Sequence, residues 1–453
     1  MNTVVQAIAL TGLVSCTQDT SVVGQKANGP VDAGDTGDGP LDEDADDTGQ
    51  EGDLSTPCAA DAGALPRGEE GTFLSQDATV SATRPACTAP LHATAGAGGS
   101  TLRVQLDASD DGGLWLLATD LTADALTPTT WLAPGEGLDI PLARSGELLL
   151  EFQPEAPGHV DDPPAAYTLT VTCVDACERP YTRHPVVFMH GMGGTDAYLD
   201  TLDYWYGVED AYTEAGLTGA WPAVDALASI ASRAEQWADI VDLLAAQGVG
   251  RRFNLVAHSQ GGLDARLLIH AHDPDHRVAS LTTISAPHGG TPIADLTDGV
   301  LDLTPFDSWL VDAVVASMAG LVGLNGPELS EQVSDLTTAS MATFNEAVPD
   351  RADVAYWSWA GASCRGLDWV CQYDRDGEII DPVFSASFRL IDFIEGDNDG
   401  VVSVSSARWG TFLGELPADH MDEVGQIADR NHPAFDAQDF YLDEARRLAA
   451  AGL

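Results

Sequence analysis

Ser259 is the side chain of this sequence best placed to act as a nucleophile. It stands in Ala257-His258-Ser259-Gln260-Gly261, after the apolar run Phe253-Asn254-Leu255-Val256 and before a helix-compatible segment over residues 262–270. Strand, tight turn and helix in that order make a nucleophile elbow, which lifts a serine Oγ clear of the backbone at a helix N-terminus. Such an elbow usually carries glycine where this one has Ala257; a methyl fits the crowded turn, and nothing larger does. Upstream, residues 184–194 read as a buried strand, Val186-Val187-Phe188-Met189, running into a glycine-rich loop, His190-Gly191-Met192-Gly193-Gly194. A loop of that kind donates one backbone N–H to a developing oxyanion, and the residue after the nucleophile donates the other. The expected donors are Met192 and Gln260. A serine also needs a base. The histidines beyond Ser259 are His270, His272, His276, His288, His420 and His432. The first three belong to the helix after the elbow or its exit, and His288 closes the following strand as a loop residue. His420 and His432 remain.

The elements that must hold these groups resemble, in order, those of the true bacterial triacylglycerol lipases of the Pseudomonas and Burkholderia type. The matching stretches are His190-Gly191-Met192, Asp203-Tyr204-Trp205-Tyr206-Gly207, Arg233-Ala234-Glu235-Gln236 and Asn254 through Gly262. They continue with Ala286-Pro287-His288-Gly289-Gly290, Ser358-Trp359-Ala360-Gly361, Ile380-Asp381-Pro382, Asn398-Asp399-Gly400 and His420-Met421-Asp422-Glu423-Val424-Gly425-Gln426. The resemblance implies an α/β-hydrolase fold, a mostly parallel central sheet flanked by helices, over residues 180–453. By matched position it makes Ser259 the nucleophile, Asp399 the acid and His420 the base, with His432 as the fallback. The turn-forming Asn-Asp-Gly context of Asp399 agrees with that role.

The same resemblance implies a structural Ca2+ held by the carboxylates of Asp381 and Asp422 and by carbonyls of Gln426 and Arg430. Oxygen donors are what a hard cation prefers, and an ion there pins the loop carrying the base. It further implies a dedicated membrane-bound foldase as a partner. The family's usual disulfide has no counterpart, because residues 402–406 read Val-Ser-Val-Ser-Ser. An insertion over about residues 297–345 contains Phe306–Leu324, apolar nearly all round but interrupted by Asp307 and Asp312. The acids argue against a transmembrane helix. The segment reads as a lid that opens onto a lipid interface, with an ordinary buried helix as the alternative.

Residues 1–16 form a short apolar stretch ending in Leu13-Val14-Ser15-Cys16, which resembles a lipobox with Cys16 as the lipidated residue, although no Lys or Arg precedes it. Residues 17–56 read as an acidic Gly/Asp-rich linker; residues 31–53 hold ten acids and no base, a composition that stays solvated. Residues 57–177 alternate apolar and polar positions between Gly/Pro/Asp turns and read as a small β-sandwich of jelly-roll type. With Cys16 set aside, six cysteines remain. Cys58, Cys87, Cys173 and Cys177 permit three pairings, and Cys364–Cys371 is a candidate local bridge. An even number within each region fits an oxidising compartment. The net charge of −51 argues against nucleic acid and anionic membrane surfaces as partners. The sequence thus reads as a secreted or surface-anchored carboxylic ester hydrolase acting through an acyl-enzyme on a lipid ester at an oil–water interface, most closely a triacylglycerol lipase. Alternatives are an esterase or polyester depolymerase with the same triad and, in another class, a non-catalytic surface-binding protein.

Overall fold

The computed structural model describes residues 56–58, 64–193, 204–297, 312–316, 333–363, 380–426 and 435–453. The expected signal segment with Cys16, the acidic stretch to residue 55, Cys364, Cys371, Arg430, His432 and most of residues 298–332 lie outside them.

Alternation with period two builds the first part of the described chain. In β4 (Thr101–Ser109) Leu102, Val104 and Leu106 turn inward, as do Leu148, Leu150 and Phe152 of β8 (Gly146–Gln153) and Tyr167, Leu169 and Val171 of β9 (Ala165–Asp175). These rows belong to two sheets that share one apolar core. One sheet orders β1 (Arg67–Glu70), β3 (Ala89–Gly96), β8, β5 (Leu114–Thr119) and β6 (Thr130–Leu132). The other orders β2 (Ala78–Arg84), β9, β4 and β7 (Gly137–Pro141). All pairs are antiparallel except β1 with β3. The pairing left open by the sequence is resolved as Cys58–Cys87 and Cys173–Cys177.

From Val186 onward the strands are parallel and alternate with helices. The sheet order is β11 (Gly219–Ala220), β10 (Val186–Met189), β12 (Phe253–His258), β13 (Val278–Ile284), β14 (Ala355–Gly361), β15 (Thr411–Leu416). β10, β12 and β13 are buried at every position, as strands covered on both faces must be. One cover contains α1 (Val208–Ala215) and another α2 (Ile230–Ala246) and α3 (Gln260–Leu267). The helix expected over residues 262–270 instead turns into a π-type turn, Leu268–His272, that leaves His270 exposed and His272 half-buried. α4 (Pro292–Thr297), α5 (Thr338–Ala347), α6 (Ser385–Ile394), α7 (Val404–Ala407) and α8 (Ala437–Ala450) complete the described helices used below. Of the expected lid, residues 312–316 are helical, with Val314 buried in a cluster that contains Ile293, Leu336 and Phe384.

The sandwich meets the second part where the parallel strands begin. Gly98 N–H donates to Gly216 O at 3.0 Å, and a Cβ on Gly216, at φ +76°, would stand 2.6 Å from Gly98 O. Ser145 and Thr218 exchange hydrogen bonds just before β11. Arg251, just before β12, pairs with Glu70 and with the buried Glu147.

Candidate active site

The elbow has the geometry its sequence implies. Ser259 joins β12 to α3 with φ 56° and ψ −133°, a conformation a non-glycine residue holds only when its surroundings enforce it. Its N–H donates to Ile284 O at 2.9 Å. Two glycines make the close approach possible. A Cβ on Gly261 would lie 2.6 Å from Met189 O, and one on Gly191 would lie 2.7 Å from the Ser259 Cβ.

His420 Nε2 stands 3.0 Å from Ser259 Oγ, and His420 Nδ1 donates to Asp399 Oδ2 at 2.7 Å. Asp399 is fully buried. Its Oδ1 accepts from the N–H groups of Val401 (2.8 Å) and Val402 (2.7 Å), and its carbonyl accepts from His420 N–H at 3.0 Å. Asn398 shapes this turn by accepting from Gly400 N–H, so Asn-Asp-Gly carries the carboxylate at a fixed angle. His288, read from sequence as a loop residue, is buried with Nε2 at 3.1 Å from Thr283 Oγ1.

The loop holding Met192 is tied from behind. Arg233, fully buried, donates to His190 O (2.6 Å), Gly191 O (3.3 Å), Asp225 O (3.0 Å) and Asp264 Oδ2 (2.7 Å). Burial holds the Asp264 carboxyl up at about 6, although Arg233 draws it down. His190 donates through Nδ1 to Gly191 O and accepts at Nε2 from Val224 N–H; burial first, then Arg233, lowers its pKa to about 3. The imidazole is therefore neutral at pH 7. Met192 is half-buried and Gln260 buried.

Behind the three aligned groups lies a second set that the sequence reading did not single out: Tyr204, His258, Ser285 and Glu423. Glu423 is fully buried, with Oε2 2.9 Å from His258 Nε2 and 4.0 Å from His420 Nδ1. Burial and the Asp399 charge push its carboxyl well above the ordinary range, while burial and His420 push His258 well below its own. The signal available beforehand was position alone, since Glu423 is three residues past His420 and His258 precedes Ser259. Among the described residues, His258, His420 and Glu423 form the one group whose ligand atoms lie close enough together for a metal. The expected calcium carboxylates are elsewhere. Asp422 is buried and Asp381 half-buried, and both adjoin Asp419, another residue the sequence reading missed. Asp419 Oδ2 accepts from Asp381 N–H at 2.8 Å, and Asp419 N–H donates to Asp422 Oδ2 at 3.3 Å. Burial first, and to a lesser degree the charge of Asp381, hold the Asp419 carboxyl up at about 6. Gln426 is buried on the same loop, and Arg430 lies outside the described residues.

A serine on a strand–helix elbow at the C-terminal end of a parallel sheet, with helices around it, defines an α/β-hydrolase. A palmitoyl protein thioesterase family model matches residues 185–318. A triacylglycerol lipase of Vibrio cholerae is 31% identical over 299 residues, which cover 60% of this chain and 89% of the relative. One of Pseudomonas fragi is 29% identical over 301 residues, covering 60% of this chain and 98% of the relative. Among solved structures, the crystal structure of Staphylococcus hyicus lipase is 19% identical with a TM-score of 0.45, covering 61% of this chain and 99% of that one. The chain belongs to the bacterial triacylglycerol lipase family and is a lipid ester hydrolase of the serine hydrolase class.

Proposed function

We propose that the protein is a triacylglycerol lipase working through Ser259, His420 and Asp399 by way of an acyl-enzyme. The observation that carries this reading is the continuous line from Ser259 Oγ to His420 Nε2 and from His420 Nδ1 to Asp399. His420 takes the Ser259 proton as Oγ attacks the ester carbonyl, and Asp399 fixes the tautomer and stabilises the imidazolium. The N–H groups of Met192 and Gln260 receive the tetrahedral oxyanion. Collapse expels the alcohol, which takes its proton from His420, and water then repeats the sequence on the acyl-enzyme.

Carboxylate and carbonyl oxygens suit a hard cation, and we assign calcium to Asp381 and Asp422, with carbonyls of Gln426 and Arg430 completing the set. Bound there, it would neutralise Asp381 and Asp422, the latter two residues from His420, and so hold the loop of the base in place. Chelation is expected to lower the thermal midpoint and inactivate the enzyme slowly; a metal-free preparation with unchanged midpoint and activity removes this assignment.

The mature protein is taken to be exported and held at the cell surface through a lipidated Cys16, a reading supported by two disulfides. No helix among the described residues is long and apolar enough to cross a membrane. Incorporation of labelled palmitate, abolished by Cys16→Ala, tests the anchor. The lid assignment rests on residues 306–324.

The deciding experiment is hydrolysis of an emulsified long-chain triglyceride beside a soluble short-chain ester, with wild type and Ser259→Ala. Loss of a triad nucleophile costs several orders of magnitude in kcat. Activity on the emulsion that vanishes in Ser259→Ala supports the lipase; activity on the soluble ester alone makes the protein an esterase without an interfacial lid. Activity retained by Ser259→Ala overturns the nucleophile.

A further inference from the structure

Gly191 sits on the glycine-rich loop, Glu423 on the loop of the base, and they are 232 residues apart in the chain. A buried line of hydrogen bonds nevertheless runs between them. Gly191 N–H donates to Tyr204 Oη at 2.9 Å, and Tyr204 Oη lies 2.6 Å from His258 Nδ1. His258 Nε2 lies 2.9 Å from Glu423 Oε2, and Ser285 Oγ donates to Glu423 Oε1 at 2.6 Å. Gly361 N–H closes the line on Ser285 Oγ at 2.9 Å.

The donors and acceptors fix its direction. The Tyr204 oxygen receives the Gly191 proton, so its own proton needs an acceptor, and His258 Nδ1 is the one within reach among the described residues. His258 is then the Nε2–H tautomer and donates to Glu423, whose two oxygens accept from His258 and Ser285 as the carboxylate, against the burial and Asp399 charge that favour its neutral form. The His258 ring packs at 4.5 Å from that of His420, tilted by 43°, and precedes the nucleophile in the chain. Ser285 occupies φ +44°, a strained setting for a serine that keeps its hydroxyl on Glu423.

We infer that Tyr204 and His258 are positioning residues that lock the oxyanion loop to the loop of the catalytic base, so that donor and base move as one body. This rests on the active-site reading above. With Gly191 N–H engaged by Tyr204, the next peptide, Met192 N–H, is the one the loop offers to substrate. The relay touches no reacting atom, and it acts by holding two loops in a fixed relation.

The test uses the full-length enzyme and kcat per active site, with sites counted by a p-nitrophenyl phosphonate burst. Tyr204→Phe is expected to lower kcat on a soluble ester by about 10- to 100-fold while KM changes less than about twofold. His258→Asn should act similarly, and the double variant should cost little beyond the worse single, because each breaks the same line. Fully additive losses, or kcat unchanged in Tyr204→Phe, overturn the relay. A measurement independent of variant folding is the imidazole 15N spectrum of wild type. It should show His258 as the Nε2–H tautomer, and the Nδ1–H tautomer overturns the inference. Activity surviving in Ser259→Ala is a distinct result that removes the nucleophile instead.

Discussion

At Asp399 every oxygen has an assigned task. Oδ1 takes two backbone protons and Oδ2 takes the His420 Nδ1 proton. Asn at this place can satisfy Val401 and Val402 only by turning its NH2 toward His420, which forces the imidazole into the tautomer that cannot accept from Ser259. Asp399→Asn is therefore expected to lower kcat by roughly two to four orders of magnitude with KM little changed, read from initial rates on a soluble ester. Ser259 was read from elbow chemistry, whereas chain order narrowed the base only to His420 and His432, and the resemblance chose His420. Asp399 was not legible from composition, in a chain with 71 Asp and Glu. Tyr204, Ser285, Asp419 and Glu423 were missed because their roles depend on which loops meet, and that is decided by the sheet.

At the scale of elements, the approach of the glycine-rich loop to the elbow is the tightest constraint. Gly191→Ala places a methyl 2.7 Å from the Ser259 Cβ, 2.8 Å from Tyr204 Oη and 3.2 Å from His258 O. Nothing there is the free end of a flexible chain, so the loop must retreat. Overpacking of this kind costs about 1–3 kcal/mol, and the displaced Met192 N–H should cost at least tenfold in kcat. Thermal unfolding and initial rates read the two effects separately, and a kcat within twofold of wild type contradicts the placement of the loop. The strands were legible here: alternating runs around residues 101–106, 147–152 and 167–172 became β4, β8 and β9, and the continuous apolar run before Ser259 became β12. The break of the post-elbow helix into a π-type turn was not, because residues 262–270 carry no glycine or proline after Gly262 to announce it. The disulfides were bounded by parity, but spacing could not choose among pairings set by how the sandwich folds.

Across the whole molecule, a strongly acidic chain keeps three arginines together where sandwich and hydrolase meet. His184 is buried beside them, and burial first, then Arg183, Arg252 and Arg251, lowers its pKa to about 3. The folded state accepts only the neutral ring, so its stabilising share is complete above the ordinary value of 6.5 and declines as pH falls toward 3. At pH 5 that share has shrunk by roughly 2 kcal/mol. His184→Gln should flatten the fall of the thermal midpoint between pH 6.5 and 4.5; an unchanged slope rules His184 out as the source. The β region over residues 57–177 was legible from period-two alternation, and the hydrolase region over residues 180–453 from the family resemblance. Their contact surface was not, because it is made of isolated residues such as Gly98, Ser145, Glu147 and Arg251 scattered over both regions.

That contact surface lies where the parallel strands start, whereas Ser259 lies where β12 ends. Six residues of strand separate the two ends by about 20 Å. A molecule gripped at that seam is thus held about one strand length from the reacting ester. The seam cannot serve as a subsite for a small ester. A ligand held there can act on turnover only if it also reaches round the sheet, as a droplet or a polymer can, so adding a small one should leave the hydrolysis of dissolved esters untouched.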